Sequence, residues 1–262
     1  MKRVSGSVLE ELPAPVSEMI TGAEIYDSSF SKEARVFFVD KEDGLFLKEA
    51  KAGMLKNEAL MTSFFHSRGL SAEVLYYDTI GSKDYFITRR IPGENCIHEM
   101  YLKDPERLCD TIAGRLRSLH ETDPSGCPVL NRIETYRNSV LKGIKGNNYD
   151  LDLFEGIWDF GSVDEVIDMA RQGLSKLKAE VLIHGDYCLP NIILNKWRFS
   201  GFIDVGNGGL GDRHIDILWG IWTLKYNLKT AEYTDRFKDA YGRDIIDDNK
   251  LRVIAAMEIV GG

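Results

Sequence analysis

A chain of 262 residues, 44% hydrophobic and 28% charged, can bury a sizeable core and has the mix of an ordinary globular protein rather than a disordered or membrane one. Its 33 Lys plus Arg against 41 Asp plus Glu give a formal charge of −8, which repels nucleic acid and anionic lipid and gathers cations, or simply keeps the protein in solution. The start, Met1-Lys2-Arg3-Val4-Ser5-Gly6, has no apolar run behind its basic residues and no later stretch reaches membrane-span length, so a cytoplasmic protein is expected.

No Pro/Ser/Gly-rich linker interrupts the chain, which predicts one compact body. Residues Arg35 to Val39 and Leu45 to Lys48 read as two strands of a hairpin, joined by the polar turn Asp40-Lys41-Glu42-Asp43-Gly44. From Ala50 to His66 the period turns helical, with Leu55, Met61, Phe64 and Phe65 at spacings of three and four and Gly69 as the stop. Val74 to Tyr77 and Tyr85 to Thr88 predict two more strands, and Pro92-Gly93 then breaks the chain. Beyond it the pattern is mostly helical. Pro105 to His120 carries Leu108, Ile112, Leu116 and Leu119 on one stripe, and Val163 to Leu177 is a second amphipathic stretch. The fold class expected is α+β, with a small β-rich part at 1–91 and a larger helical part at 92–262.

Cys96, Cys109, Cys127 and Cys188 stand far apart without a C-x-x-C pair, which reads as reduced, mostly buried thiols. The five histidines show no H-E-x-x-H spacing, so no structural zinc site is expected.

The chemistry concentrates in the run Val181-Leu182-Ile183-His184-Gly185-Asp186-Tyr187-Cys188-Leu189-Pro190-Asn191. An apolar strand delivers a carboxylate into a short loop, and an asparagine follows five positions later. This D-x-x-x-x-N spacing is that of a kinase catalytic loop, whose aspartate orients the accepting hydroxyl and whose asparagine holds a magnesium ion. A second strand ends on Asp204-Val205-Gly206, where a kinase would carry its metal-binding D-F-G. Alone, an aspartate at a strand end is a turn former. Phe46-Leu47-Lys48, however, puts a lysine inside an apolar strand upstream, at the V-A-I-K position, and Glu58 stands on the next helix as its partner. Phosphoryl transfer asks for charge neutralisation and positioning more than covalent chemistry, and these four elements in order supply both.

The run His184 to Ile192, with Phe199-Ser200-Gly201-Phe202-Ile203-Asp204, Asp212-Arg213-His214-Ile215-Asp216-Ile217 and Leu116-Arg117-Ser118-Leu119-His120, resembles the aminoglycoside phosphotransferases, in their 3′-phosphotransferase branch. The resemblance runs from about Lys48 to the C-terminus. It implies a protein-kinase-like bilobal fold, with a five-stranded N-terminal lobe, a hinge, and a helical C-terminal lobe, and the nucleotide between them. It further implies a kinase that moves the γ-phosphoryl group of ATP or GTP, with Mg²⁺, onto a hydroxyl of an aminoglycoside-like aminosugar, an antibiotic-resistance activity. The partners it implies are nucleotide and a small cationic acceptor, for a monomer or weak dimer. By position, Asp186 would be the catalytic base, Asn191 and Asp204 the metal ligands, Lys48 the phosphate-binding lysine and Glu58 its partner. The nucleotide loop would fall around Tyr26 to Ser31, with Ser28 and Ser29 at the phosphates, and the hinge backbone near Arg89 and Ile91. Asp216 would tie the catalytic loop together. Asp152 and Glu155 in the acid-rich stretch after Asp150, and Glu258 near the C-terminus, would meet the acceptor.

The chain departs from that pattern in two places. The loop around Ser28 holds no glycine, and the C-terminus Met257-Glu258-Ile259-Val260-Gly261-Gly262 has one acid and no terminal aromatic. The acceptor therefore stays open between an aminosugar and another small alcohol such as choline, a macrolide or a metabolic sugar. An inactive nucleotide-binding module is the more distant alternative, against which Lys48, Asp186, Asn191 and Asp204 are all intact.

Overall fold

The computed structural model describes residues 2–4, 12–29, 32–147 and 149–261. Its contacts divide into two compact units, one of Met1–Pro92 with Ser200–Gly206, the other of Gly93–Phe199 with Asn207–Gly262.

The first unit is built on an antiparallel sheet. Its elements are β1 (Lys2–Arg3), α1 (Ala14–Ile20), β2 (Glu24–Asp27), β3 (Ala34–Asp40), β4 (Leu45–Lys51), α2 (Lys56–Ser67), β5 (Val74–Ile80) and β6 (Lys83–Arg89). The strand order is β1-β2-β3-β4-β6-β5, so six strands stand where five are implied, and the short β1 on Tyr26 and Asp27 is the addition. The β3–β4 hairpin pairs Val39 with Leu45 across the polar turn. Alternation then puts Phe37, Val39, Leu45 and Leu47 into a core with Val16 and Ile87, each such side chain contributing about 1.5–3 kcal/mol on burial.

Strand β4 runs on through Ala50 to pair Lys51 with Lys83, so the helix expected from Ala50 begins only at Lys56. The buried Asp84 explains the delay. Its carboxylate accepts the Gly53 N–H at 2.9 Å and the Leu55 N–H at 2.8 Å, fixing a turn where helical backbone would otherwise start.

The second unit is mostly helical. It opens with β7 (Glu94–Asn95), α3 (Glu99–Leu102), α4 (Pro105–His120), α5 (Arg132–Gly146) and α6 (Val163–Gly173). Strands β8 (Val181–Ile183) and β9 (Ile192–Asn195) follow, then β10 (Arg198–Phe202), whose last three residues belong to the first unit, then β11 (Gly209–Gly211), α7 (Arg213–Leu228), α8 (Thr234–Tyr241) and α9 (Asp248–Ile259). Helix α4 has the predicted bounds: Asp104 caps it by accepting the Arg107 N–H, Pro105 opens its first turn, and Leu108, Ile112, Leu116 and Leu119 are fully buried. Helix α6 ends at Gly173 rather than Leu177. A β-carbon at Gly173 would lie 2.4 Å from Val253 Cγ1, so this residue lets α6 lie close against α9. Helix α9 is buried along nearly its whole length from Leu251, which makes it the centre of this unit's core.

Candidate active site

In the second unit the fully buried strand β8 delivers His184, Gly185 and Asp186 into a loop. Gly185 takes φ = 80°, and a β-carbon there would come within 2.1 Å of the Asn207 carbonyl oxygen, so only glycine fits. The loop is pinned from below by the fully buried Asp216, whose carboxylate accepts the His184 and Gly185 N–H groups, both at 2.7 Å. Asp216 also lies 3.2 Å from His120 Nε2, and His120 Nδ1 lies 2.7 Å from the Tyr241 hydroxyl. Burial holds His120 below its ordinary value, against the pull of Asp216. The network therefore assigns the neutral ring, with Nε2–H donating to Asp216 and Nδ1 accepting from Tyr241.

Asn191 closes the loop from the other end. Its Nδ2 group donates to Asp186 Oδ2 at 2.9 Å and to the Asp186 carbonyl at 3.1 Å. The five-residue spacing thus lets the amide of Asn191 orient the carboxylate of Asp186.

Asp186 lines a cavity of about 180 Å³ together with Arg132, Tyr136, Ser139, Asn207, Trp219 and Glu258. Glu258 is buried, and its Oε1 accepts the Tyr136 hydroxyl at 2.9 Å and the Trp219 indole N–H at 3.2 Å. Burial drives its carboxyl up to about 7; those two hydrogen bonds and the Arg132 charge oppose the shift, and the Asp186 charge adds to it. Gly143 lets α5 reach this region, since a β-carbon there would overlap the Val260 carbonyl at 1.4 Å.

The first unit gathers a separate charged cluster. Lys48 Nζ donates to Glu58 Oε1 at 2.5 Å and also to Asp204. Burial works against the ammonium, but the Glu58 and Asp204 carboxylates outweigh it and hold Lys48 above its ordinary value. Asp204 is 45% exposed in its side chain against 13% for Glu58, so it is the acid open to a ligand. Its φ of 56° is left-handed, a conformation aspartate tolerates better than most residues. The Asn57 amide donates to the Gly206 carbonyl just beyond it.

The remaining predicted positions are more scattered. The Ser28 N–H donates to the Val36 carbonyl at 2.8 Å, the Ser29 N–H to Asp27 Oδ1 at 2.8 Å, and the Ser29 hydroxyl accepts the Val36 N–H at 2.9 Å. Phe30 and Ser31 of that loop lie outside the described residues, as does Gly262. Arg89 ends β6 with its N–H on the Glu73 carbonyl and its side chain on Glu73 and Glu42. Ile91 packs against Gly201. Asp152 and Glu155 are exposed in a turn whose Phe154 is buried, and of the three acids expected at the acceptor only Glu258 lines the cavity.

Sequence reasoning did not single out Arg132, Tyr136, Asn207 or Trp219. A signal for the first two existed: Asn131 caps α5 by accepting the Glu134 N–H, an N-x-x-E start that marks the helix carrying both. None marks Trp219, which shares α7 with Asp216.

A family profile described as the phosphotransferase enzyme family matches residues 30–254. A probable aminoglycoside 3′-phosphotransferase of Lactococcus lactis is 43% identical over 253 residues, covering 97% of this chain and 96% of that protein. Among solved structures, an aminoglycoside-3′-phosphotransferase of type VIII superposes with a TM-score of 0.76 at 20% identity, over 94% of this chain and 96% of the other. An aminoglycoside phosphotransferase of Streptomyces rimosus, in complex with ADP and streptomycin, gives 0.69 at 20% identity over 98% of each. These likenesses give the fold as the kinase-like α+β fold of those enzymes. The chain belongs to the phosphotransferase enzyme family, in its aminoglycoside 3′-phosphotransferase-like branch, and is a phosphotransferase with an alcohol group as acceptor.

Proposed function

We propose that this chain transfers the γ-phosphoryl group of ATP or GTP to a hydroxyl of an aminoglycoside-type aminosugar. The observation that carries the reading is Asp186, oriented by Asn191 and standing in one cavity with the Glu258 carboxylate. The accepting hydroxyl donates to Asp186, which takes its proton or aligns its lone pair as the oxygen attacks phosphorus. Glu258, once ionised, supplies a buried partner for an ammonium group of the acceptor. In the first unit, Lys48 offers the nucleotide phosphates a cation held in place by Glu58.

Asn191 in the second unit and Asp204 in the first each bring an oxygen donor of the kind Mg²⁺ takes, and the Asn191 amide nitrogen is already spent on Asp186, which leaves its carbonyl oxygen for a cation. Held by such donors, Mg²⁺ would neutralise charge on the nucleotide phosphates. Ser28, Ser29, Arg89 and Ile91 are proposed to border the nucleotide, and Asp152 and Glu155 to approach the acceptor from the surface. Among the described residues no helix is long and apolar enough to cross a membrane.

The test is a phosphorylation screen with each nucleotide against kanamycin, choline and a macrolide. Turnover of kanamycin with Mg²⁺ and ATP or GTP is expected. Efficient turnover of choline or the macrolide with no aminosugar phosphorylated would overturn the acceptor while keeping the phosphotransferase.

A further inference from the structure

The cavity around Asp186 is not uniformly acidic. Among the described residues that line it, Arg132 has a positive charge, standing in the same small space as Asp186 and Glu258. Its guanidinium donates to Asn207 Oδ1, and Asn207 is the residue whose carbonyl backs Gly185 in the catalytic loop. That bond fixes the arginine relative to the loop and occupies one of its five N–H donors. Burial weighs on the Arg132 charge, with Glu258 opposing, so a ligand that brings a second cation beside it meets a site already short of solvation.

A volume of about 180 Å³ is below the roughly 300 Å³ at which pockets begin to hold drug-sized ligands. One sugar ring fills it. The substituents on either side of the hydroxyl that reaches Asp186 then share the cavity with Arg132.

We propose, on the reading that the acceptor is an aminosugar, that Arg132 held by Asn207 is a specificity-determining residue. It selects rings bearing hydroxyl rather than ammonium groups on the carbons beside the accepting hydroxyl, and leaves Glu258 to take an ammonium farther around the ring. Hydroxyl oxygens accept from the guanidinium, whereas an ammonium offers only donors and a like charge.

Kanamycin A and kanamycin B test this, since they differ only in a hydroxyl or an amine at the carbon next to the 3′-hydroxyl. The wild-type protein is expected to favour kanamycin A in kcat/KM by about tenfold, the effect of one unfavourable charge contact near 1.4 kcal/mol. Arg132→Gln should bring that ratio to within about twofold of unity, and Arg132→Lys, which keeps the charge, should retain most of it. Thermal melting of each variant accompanies the kinetics, and direct titration of both kanamycins gives the same ratio where turnover is slow. Equal use of the two by the wild type, or a ratio that Arg132→Gln leaves unchanged, overturns the inference and leaves the acceptor class standing. Phosphorylation of neither kanamycin overturns the acceptor class, and the inference with it.

Discussion

The Asp216 carboxylate accepts the backbone N–H of Gly185 at 2.7 Å, one residue before Asp186, and it does so from a fully buried position. The aspartate on α7 thereby sets the path of the loop without reaching the acceptor itself. Asp216→Ala would strip the His184 and Gly185 N–H groups and His120 of their shared acceptor, costing about 3 kcal/mol or more of stability. Asp216→Asn keeps the volume but turns an amide donor toward groups that donate. For a variant that still folds, kcat is expected to fall with little change in KM for nucleotide, which steady-state kinetics with each substrate varied will show.

Asp186→Asn preserves the shape of the loop and removes the proton acceptor. Turnover should fall by about 10²- to 10⁴-fold, the usual contribution of a positioned general base, while nucleotide binding by calorimetry stays near wild type. A variant with wild-type kcat would take Asp186 out of the chemistry.

Among the described residues Lys48 is the one cation paired with both Glu58 and Asp204. Lys48→Met leaves two carboxylates facing each other, so a loss of about 3 kcal/mol is expected, with a marked rise in KM for nucleotide. Adding Glu58→Gln should recover part of the melting temperature and none of the affinity. Recovery of both would mean that the lysine serves the fold alone. Asp204→Ala should abolish the Mg²⁺ dependence of nucleotide binding, read by calorimetry with and without the ion.

Glu258 makes stability depend on pH in an unusual direction. Its carboxyl titrates near 4.5 when unfolded and at about 7 in the fold, so between those values the folded chain keeps a proton that the unfolded chain releases. Stability therefore falls as pH rises from about 4.5 to 7, by on the order of 3 kcal/mol. Glu258→Gln should flatten that slope, measured as the change in urea midpoint between pH 5 and 7.5.

Binding of an aminosugar ammonium to Glu258 favours the ionised carboxylate, so acceptor binding at pH 6.5 should release a proton, seen as a buffer-dependent heat. Glu258→Gln is expected to raise KM for the acceptor about tenfold or more, whereas Glu155→Gln, altering an exposed charge, should change it by less than about fivefold and lose that effect in high salt.

The sequence by itself determined the parts whose function depends on near neighbours. The apolar run ending at Ile183 delivers Asp186, and Asn191 is close enough along the chain to grip the carboxylate through a short loop. The alternation of β4 places Lys48 within reach of Glu58, ten residues on. The tertiary structure decided what depends on docking distant elements. Glu258 is an ordinary acid in sequence, and it titrates near 7 only because α9 is buried, an effect that outweighs the hydrogen bonds its oxygen accepts from Tyr136 and Trp219. Arg132 enters the cavity because Asn207, 75 residues on, holds it there. The delay of α2 to Lys56 has the same origin, since the acceptor that fixes the turn ahead of it, Asp84, arrives from another strand. Local spacing encodes local geometry, but burial and its electrostatic consequences are properties of the packed core and have no signature in the residues one at a time.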